Sequence, residues 1–149
     1  LHMLRGVVGT DNFWKGIRSY YATYQNGSAS TADFRREMEE ASGQNLGQFF
    51  EQWLYKPGAL VLDGDWSYDA ANQEVKIRLN QVQEDGSLFQ MPIQVEVQYA
   101  EEKKQLDTLL VNQKGNEFRV KVEREPKEVI LDPGFWVLKE ASFTRNIKE

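Results

Sequence analysis

The sequence contains no cysteine and a single histidine, His2. Disulfides and thiolate metal sites are therefore excluded, and one imidazole without a second imidazole or a thiolate does not make a zinc site. No apolar run approaches the roughly 20 residues that a membrane-spanning helix needs. No nucleophilic side chain lies beside a plausible general base, and no glycine-rich phosphate loop is present. Taken alone, the 149 residues carry no catalytic constellation and no metal or cofactor site.

An excess of positive charge is also missing. Eighteen lysines and arginines stand against 23 aspartates and glutamates, which gives a net charge of −5. A general nucleic-acid binder would present a basic face, so nucleic acid is excluded as a partner. The chain is 40% hydrophobic and 28% charged, a composition typical of folded rather than disordered proteins. Composition does not indicate a cellular compartment.

Residues 1–57 have apolar side chains at helical spacing, in three or four short segments with tight connections. This pattern predicts an antiparallel helical array. Ser30 with Asp33 three residues later resembles a capping box at the start of the third segment. Leu1–Arg5 has the pattern of a helix interior, unless Leu1–Met3 are a cloning remnant. The aromatic residues of the second segment are expected in a core rather than on a stacking platform for sugars or bases. They are Trp14, Tyr20, Tyr21 and Tyr24.

Residues 58–149 change to a period of two, with one apolar and one polar face on each run. Such alternation favours an antiparallel sheet with one face in water. About seven runs at this spacing predict a β-sandwich. The expected strands lie within 60–68, 75–79, 93–99, 106–111, 118–122, 129–131 and 135–143. The predicted fold class is therefore α+β, with a helical part over 1–57 and a sandwich over 58–149.

A bulky apolar stripe ends where the period changes. Phe50, Trp53 and Leu54 share one helical face. Pro57 cannot continue a helix, and Gly58 permits a sharp exit. These five residues are the predicted junction between the helices and the sandwich.

Two acidic groups have alternative interpretations. Asp63, Asp65 and Asp69 invite comparison with a calcium loop, but their order does not fit one. Because alternate residues of a strand share one face, we expect Asp63 and Asp65 on a solvated strand edge instead. Glu37, Glu39 and Glu40 are expected on a solvated helix face.

A series of short motifs, taken in order, resembles the M1 family of zinc aminopeptidases, the gluzincins. No single motif is diagnostic, and the resemblance rests on their order and spacing over nearly the whole chain. In the helical half they are Leu1-His2-Met3-Leu4-Arg5, Gly9-x-x-x-Phe13-x-x-Gly16-Ile17-x-x-Tyr20, Asp33-Phe34, Ser42-Gly43-x-x-Leu46, Phe50-x-Gln52-Trp53 and Pro57-Gly58. In the strand half they are Gln81-x-Gln83, Phe89-x-x-Pro92-Ile93 and Val129-x-Leu131-Asp132-Pro133. Ala59-Leu60 departs from the family, which often has a second proline there.

The resemblance implies helices that close a thermolysin-like catalytic domain, followed by a β-sandwich domain. The family's His-Glu-x-x-His motif, third ligand glutamate and catalytic tyrosine belong upstream of Leu1, so no site residue transfers to this chain. Zinc and the peptide substrate would belong to the parent protein. The expected partner is the remainder of the catalytic domain, and a dimer through the truncated surface is an alternative.

Two other functions stay open at this point. A stand-alone interaction or carbohydrate-binding module would use Trp66, Tyr68 or Trp136 as a flat exposed aromatic row. A scaffold tail of an M1 homologue that has lost its zinc ligands would carry the same sequence signals as the tail of an active enzyme.

Overall fold

The computed structural model describes residues 1–147 as four α-helices followed by seven strands in two sheets, which confirms the α+β class. The helices are α1 (His2–Val8), α2 (Thr10–Tyr24), α3 (Thr31–Ser42) and α4 (Gly47–Phe50), and a π-helical turn over Glu51–Tyr55 continues α4. The strands are β1 (Val61–Asp69), β2 (Glu74–Gln81), β3 (Met91–Gln98), β4 (Lys104–Val111), β5 (Gly115–Lys121), β6 (Glu128–Leu131) and β7 (Glu140–Arg145). The chain divides into two compact units, a helical unit over 1–57 and a strand unit from Gly58 onwards. Among the described residues, no helix has the length and apolarity needed to cross a membrane.

The helical unit is held by close packing between α2 and α3. Met38 is fully buried on α3. Gly16 of α2 lies so close that a Cβ placed there would be 2.6 Å from the Met38 sulfur. Glycine therefore lets the two helix backbones approach, and the flexible thioether fills the space between them. The small core around this contact consists of Leu4, Val8, Phe13, Met38, Leu46 and Phe50.

The start of α3 is fixed by the predicted capping box, which is confirmed. The Ser30 hydroxyl accepts a hydrogen bond from the Asp33 backbone N–H at 3.2 Å, and the Asp33 carboxylate accepts one from the Ser30 N–H at 2.9 Å. These bonds satisfy amide groups that a helix N-terminus otherwise leaves unpaired. They also lower the pKa of Asp33, with the Ser30 backbone bond as the largest cause.

The strand unit is a sandwich of two sheets with strand orders β5-β2-β1-β7 and β4-β3-β6. All pairs are antiparallel except β1 with β7, which is parallel. The expectation of an antiparallel sandwich therefore holds for every pair but one. Alternate residues of β2 and β3, such as Val75, Ile77, Val95 and Val97, are almost fully buried and form the core between the sheets.

β1 lies inside its sheet, between β2 and β7, so the aspartates expected at a strand edge lie on the solvent face of a central strand. Asp65 is paired with Arg78 across the β1–β2 ladder, and Asp69 with Lys76 at 2.6 Å. Since Asp65 lies directly opposite Arg78 in this register, a slip of one residue would break that pair and move the apolar side chains into water.

The loop between β2 and β3 is fastened by the buried amide of Gln81. Its Nε2 donates to the Phe89 carbonyl at 2.8 Å and to the Gln113 carbonyl at 3.1 Å, and its Oε1 accepts from the Phe89 N–H at 2.9 Å. Gln83 adds a bond to Gln81 Oε1 and one to the Ser87 carbonyl. The Gln81-x-Gln83 motif therefore supplies the partners that the backbone of this loop needs.

The last strand begins later than the sequence predicted. Residues 135–139 form a loop, and β7 starts at Glu140. Phe135 has a φ of 51°, in the left-handed region, which strand geometry excludes. The amides of Trp136 and Val137 donate to the Asp132 carboxylate, so they are not available to a sheet ladder.

Replacing Gly64 by alanine is expected to destabilise the strand unit. A Cβ at Gly64 would clash with the Arg78 carbonyl oxygen and lie 2.7 Å from Leu79 Cδ2. Because a backbone carbonyl in a sheet cannot move aside, the cost should be about 1–3 kcal/mol, as for an overpacked core. Gly115→Ala is the matched control, since its Cβ would meet only the flexible Asn80 side chain. Equal denaturation midpoints for the two variants would contradict this account.

The capping box should make α3 sensitive to acid. Because the folded-state pKa of Asp33 lies below its ordinary value of 3.8, its contribution to stability is present above that pH and is lost as the pH falls towards the lowered value. Circular dichroism should show that Asp33→Asn removes part of the acid-induced loss of helix. Glu40→Gln, at an exposed position of the same helix, should leave the acid profile unchanged.

Candidate functional site

The helical unit carries an apolar groove of about 420 Å³. Its walls come from α1, the Tyr20 position of α2, the start of α3 and the π-helical turn. They are formed by Leu1, Met3, Leu4, Tyr20, Ala29, Ser30, Thr31, Phe34, Phe49, Phe50, Trp53 and Leu54. Apart from Ser30 and Thr31 the side chains are apolar or aromatic, so the groove suits packing rather than chemistry.

Three of the predicted junction residues lie at this groove. Phe50 is buried and stacks edge-on against Phe34 and Phe49, with ring centroids 6.1 and 5.7 Å apart. Trp53 is half-buried, whereas Leu54 is 58% exposed. Pro57 and Gly58 follow the π-helical turn and are both exposed. Their assignment to a helix–sandwich junction stays a prediction.

Other large apolar side chains of the helical unit are also exposed, and this corrects the prediction for α2. Trp14 is 46% exposed and Tyr21 67% exposed, so neither belongs to a core. Only Phe13 and Gly16 are buried on α2, and the half-buried Tyr20 stacks on Phe34. The buried stripe of α2 is therefore narrower than its apolar periodicity predicts. Within residues 1–57, only one side of α2 packs against other helices.

Glu37 corrects the expectation of a solvated acidic face. Its side chain is buried, and its Oε2 accepts a hydrogen bond from the Ser19 hydroxyl at 2.6 Å. Glu39 accepts from the Leu46 amide at 2.8 Å, whereas Glu40 is exposed as expected. The bonds of Glu37 and Glu39 join α3 to α2 and to the start of α4. Both carboxylates are structural.

The described residues do not fit the zinc ion that M1 peptidases use. Over residues 1–147, no three histidine, cysteine, aspartate or glutamate side chains come together in a way that could hold a metal ion. Asp65 and Asp69, from the group compared with a calcium loop, are engaged by Arg78 and Lys76. No catalytic step is therefore assigned to residues of this chain.

The sandwich aromatics do not form a flat binding row. Trp66 is buried, and the Arg145 guanidinium lies 4.9 Å from the centre of its ring. Tyr68 and Trp136 are half-buried. Because Trp66 lies inside the sandwich, the hypothesis of a stand-alone interaction or carbohydrate-binding module loses one of its three rings.

Asp132 and Lys139 form a buried ion pair. Their side chains are 0% and 9% exposed. The Asp132 carboxylate also accepts from the backbone amides of Trp136 at 2.9 Å and Val137 at 3.0 Å. Three donors within one loop, the two amides and the Lys139 ammonium, thus satisfy both carboxylate oxygens, as a buried charge requires. The spacing of seven residues gives no sequence signal for this pair.

Comparison with known proteins gives a consistent family signal. Residues 1–53 match the family model described as "Peptidase family M1 domain". The chain is 28% identical over 94 residues to aminopeptidase N of Lactococcus lactis, a match that covers 62% of this chain and 11% of that protein. It is 32% identical over 91 residues to the puromycin-sensitive aminopeptidase of Caenorhabditis elegans, covering 57% of this chain and 10% of that protein.

A solved structure shows the same fold. The crystal structure of Legionella pneumophila aminopeptidase A in complex with aspartic acid matches 95% of this chain and 16% of its own chain, with a TM-score of 0.78. At 17% identity, this is a likeness of fold. The chain spans about a tenth of the length of the curated relatives that it matches.

The Asp132–Lys139 pair should be essential to the sandwich. Lys139→Met leaves the carboxylate buried without its cation and should cost about 3–5 kcal/mol, whereas Asp132→Asn with Lys139→Met should cost less than the two single changes added together. Breaking the exposed pair Lys103–Glu123 with Lys103→Met should cost at most about 1 kcal/mol. Urea denaturation checks both values. Additive effects at 132 and 139 would contradict the coupling.

Proposed function

Because this chain is part of a protein of the M1 peptidase family, we propose that it is the non-catalytic C-terminal portion of a zinc metallo-aminopeptidase and supports its catalytic domain. In this proposal residues 1–57 complete the helical end of the peptidase domain, and the strand unit is the sandwich that follows. Hydrolysis of the N-terminal residues of peptides belongs to the parent. This chain contributes packing surface.

The apolar surface of the helical unit is the observation that carries the proposal. The groove beside Trp53 and the exposed rings of Trp14 and Tyr21 lie on the part of the chain that matches the peptidase family model. Large apolar surface that remains in water marks an interaction site. We expect the remainder of the peptidase domain to cover this apolar surface, because in this proposal it folds with these helices as one domain.

The packing role would hold whether or not the parent keeps its zinc ligands, whereas the assignment to a zinc aminopeptidase requires them. In a homologue that has lost its zinc ligands, the rest of the peptidase domain would still need to fill this groove. The alternative of a stand-alone sugar-binding module has less support, because Trp66 is buried. An exposed aromatic row was the feature that distinguished that alternative.

Leu54 and Leu110 provide a matched test, because both are leucines with 58% of their surface exposed. Leu54 lines the groove, whereas Leu110 lies on β4. In the 149-residue chain, Leu54→Asp and Leu110→Asp should each change the free energy of unfolding by less than about 0.5 kcal/mol, as exposed substitutions do. In the longer protein that carries the peptidase domain, Leu54→Asp should cost at least about 2 kcal/mol, because the leucine is then buried.

Denaturation of both proteins with each variant gives the four values. Leu110→Asp should stay neutral in the longer protein. If Leu54→Asp is as harmless there as in the short chain, the groove is not covered by the rest of the peptidase domain and the proposal fails.

A further inference from the structure

The two sheets of the sandwich have unequal numbers of strands, and a slot opens where they differ. The four-stranded sheet ends at β7 and the three-stranded sheet at β6. Between these two edge strands lies a slot of about 400 Å³. Its walls include Ile130 and Leu131 from β6, Ala141 and Phe143 from β7, and Phe135 from the connecting loop. The slot therefore lies between two sheet edges that have no further strand among the described residues.

The edge of β6 that faces away from β3 has no strand partner within residues 1–147. The Asp132 amide donates to the Gln94 carbonyl of β3 at 2.7 Å. In an antiparallel ladder, alternate residues point their amides to the same side. The amide of Ile130 therefore also points to β3, and the amides of Val129 and Leu131 point away from β3, towards the free edge. Such groups are a template for one additional strand.

The inner face of β7 carries two apolar side chains, Ala141 and Phe143, that are only partly covered. In the β1–β7 register, Ala141 is opposite the buried Leu62, and Phe143 is opposite Gly64. Ala141 is nevertheless exposed, and Phe143 is half-buried. The Phe143 ring packs over Gly64. A Cβ placed on Gly64 would lie 3.3 Å from Cδ2 of Phe143. A strand added beside β6 would extend the three-stranded sheet and cover Ala141 and Phe143.

The charges around the slot specify what such a strand would carry. Glu128 begins β6 and lines the slot, and it forms no ion pair within residues 1–147. The cation at the slot, Lys139, is already paired with the buried Asp132. The unpaired charge around the slot is therefore negative, and it complements lysine or arginine.

We propose that the slot between β6 and β7 binds an extended peptide segment with alternating apolar residues flanked by lysine or arginine. The segment would pair with the free edge of β6, place its apolar side chains over Ala141 and Phe143, and set a cation beside Glu128. This is strand addition, in which backbone hydrogen bonds give affinity and alternate side chains give specificity. The site is independent of the groove on the helical unit, so its failure would leave the proposed function unaffected.

The probe is the capped, fluorescently labelled peptide Lys-Val-Thr-Val-Thr-Val-Lys, titrated into the 149-residue chain. Two further peptides carry N-methyl groups either on the valines or on the threonines, so that each blocks one edge of the strand. Because only one edge can face β6, one methylated peptide should lose binding and the other should retain it. Chemical-shift changes should centre on Val129, Leu131, Ala141 and Phe143.

The charge requirement is tested with variants at exposed positions. Glu128→Gln should weaken binding about two- to fivefold, since an exposed ion pair is individually weak. Glu84→Gln, on the loop between β2 and β3, is the control and should leave the affinity unchanged. No binding at millimolar peptide, equal binding of both methylated peptides, or sedimentation showing that a second copy of the chain fills the slot would each overturn the proposal.

Discussion

The contact of Met38 with Gly16 is the interaction on which the helical unit depends, because it brings α2 and α3 close enough to share a core. That core is small and consists of a cluster of six buried apolar side chains. Short chains have too much surface for their volume to bury every apolar group. Packing around Met38 therefore leaves Trp14, Tyr21 and Leu54 in water, and the exposed side chains form the surface from which the function is inferred.

The strand unit meets a different constraint, which is the pairing of polar groups at its loops. Gln81 satisfies backbone groups of the loop before β3, and Asp132 does so for the loop before β7. Each side chain is buried and each lies at the end of a strand. Since a buried polar group without a partner is costly, these residues select one loop conformation. Because of the loop held by Asp132, β7 begins only at Glu140, and residues of this loop line the slot beside β6.

The elements with strong local patterns could be predicted from sequence. The capping box at Ser30 and the alternating strands around Val75, Val95 and Val120 depend on near neighbours, and the structure has them where expected. Positions decided by distant residues could not be predicted. Glu37 has the sequence context of a solvated residue, and only its contact with the distant Ser19 explains its burial. Tyr21 has the spacing of a core residue, but the core is too narrow to include it. The groove and the slot arise only from the assembly of several elements, so no spacing in the sequence reveals them.

The central claim is that the helices of this chain are the end of an M1 peptidase domain. The most direct test is to determine the protein sequence that precedes Leu1. Our account predicts a continuous peptidase domain there, with a His-Glu-x-x-His motif followed by a ligand glutamate and a tyrosine. An unrelated domain, or a start codon directly before Leu1, would contradict the account and leave the M1 likeness as shared architecture alone.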